Sequence, residues 1–116
     1  MTTHKFISLL NAREGRDDEF NDWYANQHIA DVLQIPGFIS AQRFSRSAGQ
    51  LSGMTPPWKY LVVYEIEGDS PDSALQELSR RIAGAGMVIS DALQPDVAAW
   101  AYSPLGPLQE RGKDHG

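Results

Sequence analysis

The chain has 116 residues, with 10 Lys+Arg against 15 Asp+Glu and a formal net charge of −5, which bounds it to one domain. It holds no cysteine, so disulfides, thiolate metal sites and a cysteine nucleophile are excluded. A pI near 5.0, with no basic run longer than Arg80-Arg81, argues against a nucleic-acid partner. No apolar stretch approaches the roughly 20 residues of a membrane span. A cytoplasmic protein without membrane or nucleic-acid partners is expected.

Lys5–Ala12 is a short, mostly apolar run of strand length. After Gly15, the segment from about Asp17 to Gln34 contains neither Gly nor Pro, starts with acids that suit a helix N-terminus, and is closed by Pro36-Gly37. It reads as the first helix. Phe38–Arg46 alternates, with Phe38, Ser40, Gln42 and Phe44 on one side and Ile39, Ala41 and Arg43 on the other, and reads as a strand. Ser47–Pro57 has no periodicity and is longer than usual hairpin loops. Trp58–Ile66 is the clearest strand of the chain, with Trp58, Tyr60, Val62, Tyr64 and Ile66 on one face.

Asp69 or Ser70 caps a second helix with Pro71 in its first turn, and Leu75, Leu78 and Ile82 mark its apolar stripe. Gly84 and Gly86 end it. Val97–Tyr102 reads as a last strand with Trp100 and Tyr102 on one side. The domain is then residues 1–102, and 103–116, with two prolines and three glycines, is expected to be a mobile tail.

The order β-α-β-β-α-β predicts an α+β, ferredoxin-like unit. Right-handed crossovers give a four-stranded antiparallel sheet in order 4-1-3-2 with both helices on one face. Its strands carry apolar residues on both faces, which a solvated sheet would not tolerate. A homodimer formed through the open sheet face is the expected solution.

At about 100° per residue, Phe20, Tyr24, Gln27, His28 and Asp31 share one arc of the first helix, flanked by Trp23. Phe20 and Trp23 mark that arc as inward, so a phenol, an imidazole and a carboxylate point toward the sheet. Buried polar groups need partners, water or a cavity. A His28–Asp31 pair is a reasonable acid/base set, because imidazole titrates near neutrality and a carboxylate can fix its tautomer. A helix-surface hydrogen bond without chemistry explains the pair equally well. Arg43 could clamp a carboxylate, although an ion pair with solvent or at a dimer interface is the commoner fate of such a residue. Tyr60 and Tyr64 could line a cavity or pack a dimer face. His4 and His115 carry no assignment. A metal site would have to be built from carboxylates around His28 alone, so no metal is expected.

The run Asp22-Trp23-Tyr24-Ala25-Asn26-Gln27-His28-Ile29, followed by Pro36-Gly37-Phe38 and Arg43, resembles the Trp-Tyr-x-x-x-His and Pro-Gly-Phe pattern of the EthD-like branch of the dimeric α+β barrel superfamily. The specific agreement covers Phe20–Arg43, and the element order covers Lys5–Tyr102. The resemblance implies a ferredoxin-like subunit whose sheet pairs with its copy. It also implies His28 as the acid/base residue, with Trp23 and Tyr24 flanking the pocket and no cofactor.

The leading expectation is a cofactor-independent lyase or isomerase acting on a small cyclic or aromatic metabolite. His28 would move the proton, Asp31 orient it, Tyr24 hydrogen-bond the substrate, and Phe20, Trp23, Arg43 and Tyr60 bind it. A non-catalytic binding or accessory protein and a cofactor-free quinol monooxygenase are the alternatives.

Overall fold

The computed structural model describes residues 2–84 and 86–112; His115 and the end of the expected tail lie outside them. The elements run β1 (Thr3–Leu10), α1 (Asp17–Trp23), a π-helical turn (Tyr24–His28), α2 (Ile29–Leu33), β2 (Phe38–Ser45), β3 (Tyr60–Glu67), α3 (Asp72–Ala83) and β4 (Ala98–Tyr102). A short 3₁₀ turn, Leu51–Gly53, lies in the long loop before β3. The strands form one antiparallel sheet in order β2-β3-β1-β4, which is the expected 4-1-3-2 order seen from the other edge. The chain is a ferredoxin-like α+β domain. No helix among the described residues is long and apolar enough to cross a membrane.

One sheet face carries the core. Along β3, Tyr60, Val62, Tyr64 and Ile66 are buried beneath the helices, while Leu61, Val63 and Glu65 turn to the other side. Phe20, Tyr24 and Val32 from the first helical stretch, with Ala74 and Leu78 from α3, complete the packing. Strand β3 starts two residues later than its alternation suggests, so Trp58 belongs to the approach loop. The N-cap of α3 is Pro71, with no side-chain cap bond, rather than the expected Asp69 or Ser70; Ser70 accepts the Asp72 backbone N–H in the turn that leads into the helix.

Two local features change which side chains point inward. A register shift between Phe38 and Ser40 in the pairing of β2 with β3 separates Phe38 from Ser40, Gln42 and Phe44. Phe38 is buried in the core, whereas Phe44 is exposed on the opposite face. Strict alternation along Phe38–Arg46 therefore fails at one residue, as a bulge makes it do. Gly37 delivers the chain into that strand at φ +102, and a Cβ there would meet Ala74 Cβ at 3.2 Å. Only glycine suits both the dihedral and the close approach.

The second feature is the π-helical turn. An i→i+5 turn holds one more residue than an α turn, so each residue advances through a smaller angle. Gln27, expected on the inward arc, is exposed, while His28 stays buried below Tyr24.

Among the described residues nothing covers the opposite sheet face. Trp100 and Tyr102 of β4 and Phe44 of β2 are 56%, 58% and 41% exposed, and pairing places Trp100 beside Ile7 and Tyr102 beside Lys5.

Candidate functional site

The first helical stretch lays an aromatic layer over β2 and β3. Phe20 packs on Trp23, Tyr24 and Tyr60, with ring centroids 6.2, 5.8 and 5.0 Å apart. His28 is held between Trp23 at 4.7 Å and Tyr24 at 4.8 Å. Burial drives its pKa down to about 4, against the opposing charge of Asp31. The imidazole is therefore neutral near pH 7. Its Nδ1 is buried without a hydrogen-bond partner among the described residues. Asp31 lies near enough for its charge to act on the ring, but no hydrogen bond joins the two among the described residues.

Behind His28, the hydroxyls of Tyr24 and Tyr64 hydrogen-bond to each other. Burial pushes the Tyr24 phenol up to about 12 and also raises Tyr64. Two hydroxyls bring two protons and use one between them, so the pair keeps a proton to donate elsewhere. Replacing Tyr64 by phenylalanine would leave the buried Tyr24 hydroxyl without this partner. The expected cost is about 1–3 kcal/mol, read as a lowered urea midpoint with unchanged slope; an unmoved midpoint would show the pair to be energetically idle.

Arg43 comes from the middle of β2, and its inward direction follows from the register that pairs it with Val62. Its Cζ lies 5.0 Å from the Tyr24 ring centroid, 5.7 Å from Phe20 and 5.9 Å from Tyr60. Nη2 donates to Asn21 Oδ1 at 2.6 Å, while Nε is buried and unpartnered among the described residues. The guanidinium lies on the helix side of the sheet. No carboxylate among the described residues pairs with it, although cations in such places ordinarily acquire one.

Asn21 also donates to the Tyr60 hydroxyl at 3.2 Å. Tyr60 in turn donates to Asp17, which Lys59 meets at 3.0 Å. These two partners, Tyr60 foremost, hold the Asp17 carboxyl below its ordinary value. A hollow of about 120 Å³ opens over this row, lined by Asn21, Arg43, Phe44, Ser45 and Tyr60. A larger one, about 450 Å³, lies between α3 and strands β1 and β4, with Phe6, Leu75, Leu78 and Ile82 on its walls. His28 lines neither.

The structure thus brings Trp23, Tyr24 and His28 together on one side of the aromatic layer and Arg43 and Tyr60 on the other, with Tyr24 between. Phe20 is wholly buried beneath them. Asn21 and Asp17 are the polar members that sequence reasoning missed. Their signal is faint, because both flank the inward arc at i and i+4 and look like ordinary surface residues. His4, without an assignment from sequence, is buried and bonded at both ring nitrogens, to Ser103 Oγ and the Gly68 carbonyl. No group of three potential metal ligands occurs among the described residues.

No protein-family profile and no curated protein matches this sequence. Among solved structures, the chain is similar to one described as "a putative monooxygenase" from Shewanella loihica PV-4. The similarity has a TM-score of 0.63 at 12% identity, covering 91% of this chain and 97% of that one. Likeness at that identity supports the ferredoxin-like α+β fold alone.

Proposed function

We propose that the protein is a cofactor-independent enzyme of the EthD-like kind, oxidising a small hydroxylated aromatic metabolite with molecular oxygen. The observation that carries this is a buried, neutral imidazole with a nitrogen that has no partner among the described residues, one tyrosine ring away from a guanidinium that no carboxylate among them pairs with. Buried polar atoms without partners are rare, and two around one ring suit a ligand better than a core.

In this reading His28 takes a proton from an activated ring position or methylene of the substrate. Arg43 holds the oxyanion that results, and the free proton of the Tyr24–Tyr64 pair reaches a second substrate oxygen. Asp31 favours the transient imidazolium through its charge. The substrate carbanion gives its electrons to oxygen, a carbon hydroperoxide forms, and loss of water leaves a carbonyl. A methylene and O₂ thus become a carbonyl and one water. The hollow at Arg43 is smaller than a typical ligand site of 300–1,000 Å³, and His28 is only 8% exposed. The aromatic cover must therefore open for the ring to enter.

The structural neighbour favours oxygenation over decarboxylation or lactone isomerisation, which would begin with the same proton transfer. Oxygen uptake with an anthrone or quinol, carried out alongside assays for carbon dioxide release and lactone isomerisation, tests the choice. Uptake supports oxygenation, and its absence with either of the other two activities returns the lyase or isomerase reading. Saturable binding of the aromatic without turnover would make the protein an accessory one.

The proposal includes a homodimer joined through the open sheet face. Trp100→Asp should dissociate it in sedimentation while leaving far-UV circular dichroism unchanged, because Trp100 is more than half exposed in the single chain. A dimer indifferent to that charge would place the interface elsewhere.

A further inference from the structure

We propose that Asn21 is the positioning residue of Arg43, and that the two together seat a planar oxyanion of the substrate, a carboxylate or an aryloxide, in the hollow beside them. The inference rests on the reading of Arg43 as an oxyanion holder. It adds the residue that aims the guanidinium and the charge that the ligand must bring.

The two ends of the polar row force its hydrogen-bond directions. Arginine only donates, and an ionised carboxylate only accepts. Nη2 of Arg43 meets the Asn21 amide at 2.6 Å, so that amide turns its oxygen to the guanidinium. Its Nδ2 then faces the Tyr60 hydroxyl, 3.2 Å away. The Tyr60 oxygen accepts there, and its own proton goes to Asp17. One orientation of the carboxamide satisfies both neighbours, and the other satisfies neither. The fold supplies the spacing. Asp17 and Asn21 are neighbours at i and i+4 on α1. Tyr60 pairs with Ser45, the next residue along β2 on the same face as Arg43.

The row holds the guanidinium without neutralising it. Asn21 has no charge, and Asp17 lies beyond two neutral groups with Lys59 on it at 3.0 Å. The rings of Tyr24, Phe20 and Tyr60 stand 5.0, 5.7 and 5.9 Å from Cζ. Such rings attract a cation through their faces but leave it charged. Of the five N–H donors of an arginine, Asn21 takes one, and Nε is buried with no partner among the described residues. A planar fork of this kind suits a planar oxyanion with two acceptor positions.

The hollow limits what enters. It measures about 120 Å³ and is walled by Asn21, Arg43, Phe44, Ser45 and Tyr60. At about 30 Å³ per water in the liquid, that is the volume of roughly four waters. A carboxylate or the oxygen-bearing edge of a ring fits, whereas a whole aromatic ligand takes a pocket of about 300–1,000 Å³. The hollow therefore receives the anionic end of the substrate, and the ring follows when the aromatic cover opens.

Benzoate and benzamide differ in charge and hardly in shape, so the ratio of their dissociation constants reads the positive charge in the hollow. The isotope-labelled full-length chain is titrated with each and followed at the Arg43 Nε–H signal, identified by its loss in Arg43→Lys. Benzoate should bind saturably and about tenfold or more tighter than benzamide, the worth of a hydrogen bond to a charged group. The pair p-nitrophenolate and p-nitroanisole makes the same comparison for an aryloxide, and the anion with the larger preference identifies the class. Asn21→Asp sets a fixed carboxylate against the guanidinium and should bring the preferred pair's ratio to near one. A merely structural role would weaken anion and neutral partner alike and leave the ratio intact. Asn21→Ala keeps the charge but frees the guanidinium, and should weaken the preferred anion about tenfold with unchanged circular dichroism. No preference for either anion, an unmoved ratio in Asn21→Asp, or full affinity in Asn21→Ala would each overturn the inference. Oxygen uptake with an uncharged quinol but no anion preference removes this inference alone. Anion preference without any uptake removes the oxygenase reading alone.

Discussion

Replacing His28 by alanine should lower turnover of an oxidisable aromatic substrate by about 10²–10⁴-fold, the usual contribution of a positioned general base. In the unaltered protein the rate should rise with pH through about 4 and then level off, because burial holds the imidazole neutral above that value. The same burial has a stability signature. Between about 4 and 6.5 the unfolded chain binds this proton and the folded chain does not, so stability rises with pH across that window. It is fully present above the ordinary value and lost as pH falls to the folded one, by on the order of 3 kcal/mol. His28→Leu should flatten that part of the curve in urea titrations at pH 4 to 7. An equally steep curve for the variant would mean that the ring titrates as if solvated. Full activity in His28→Ala would end the proposed chemistry whatever the stability data show.

Phe20→Ala should cost about 3–5 kcal/mol, a large part of the 5–15 kcal/mol that holds an ordinary domain. Phe20 is fully buried and touches the rings of Trp23, Tyr24 and Tyr60 together with the Arg43 guanidinium. The cavity would undermine both sides of the candidate site at once. Phe20→Leu, which keeps most of the volume, should cost less than about 1.5 kcal/mol. Chemical denaturation of the two variants separates these cases. A loss below 1 kcal/mol for the alanine would mean that the layer collapses around the gap. No solvent reaches Phe20 in this structure, so it supports the rings and the guanidinium packed around it.

The polar residues of the first helical stretch show where sequence reading works and where it stops. A regular 100° rotation brings Phe20, Tyr24 and His28 inward, and they are inward. The same rotation sends Gln27 inward, and the π-helical turn sends it out. An extra residue in one turn has no composition signal of its own, since the packing of Tyr24 and His28 against the sheet selects it. Phe38 repeats the lesson in a strand, where one bulge residue separates it from the side chains that alternation groups with it.

Arg43 was legible as a charged residue within a strand. Its side of the sheet depends on that bulge and on pairing with β3, which are contacts between segments far apart in sequence. Asn21 and Asp17 look like surface polars until the fold brings Tyr60 and Arg43 beside them.

By itself, the sequence determined the element order, the strand order that right-handed crossovers allow, and the identity of the inward aromatic residues. Hydrophobic period and glycine–proline punctuation are local properties and survive being read along a line. Only the tertiary structure decided that burial lowers the imidazole pKa and leaves Nδ1 without a partner among the described residues, that the guanidinium lies on the helix side of the sheet with no carboxylate paired to it among those residues, and that the last nine described residues, beyond the Ser103 bond to His4, are exposed. Burial and charge balance are sums over neighbours, and the folded chain alone supplies the neighbours.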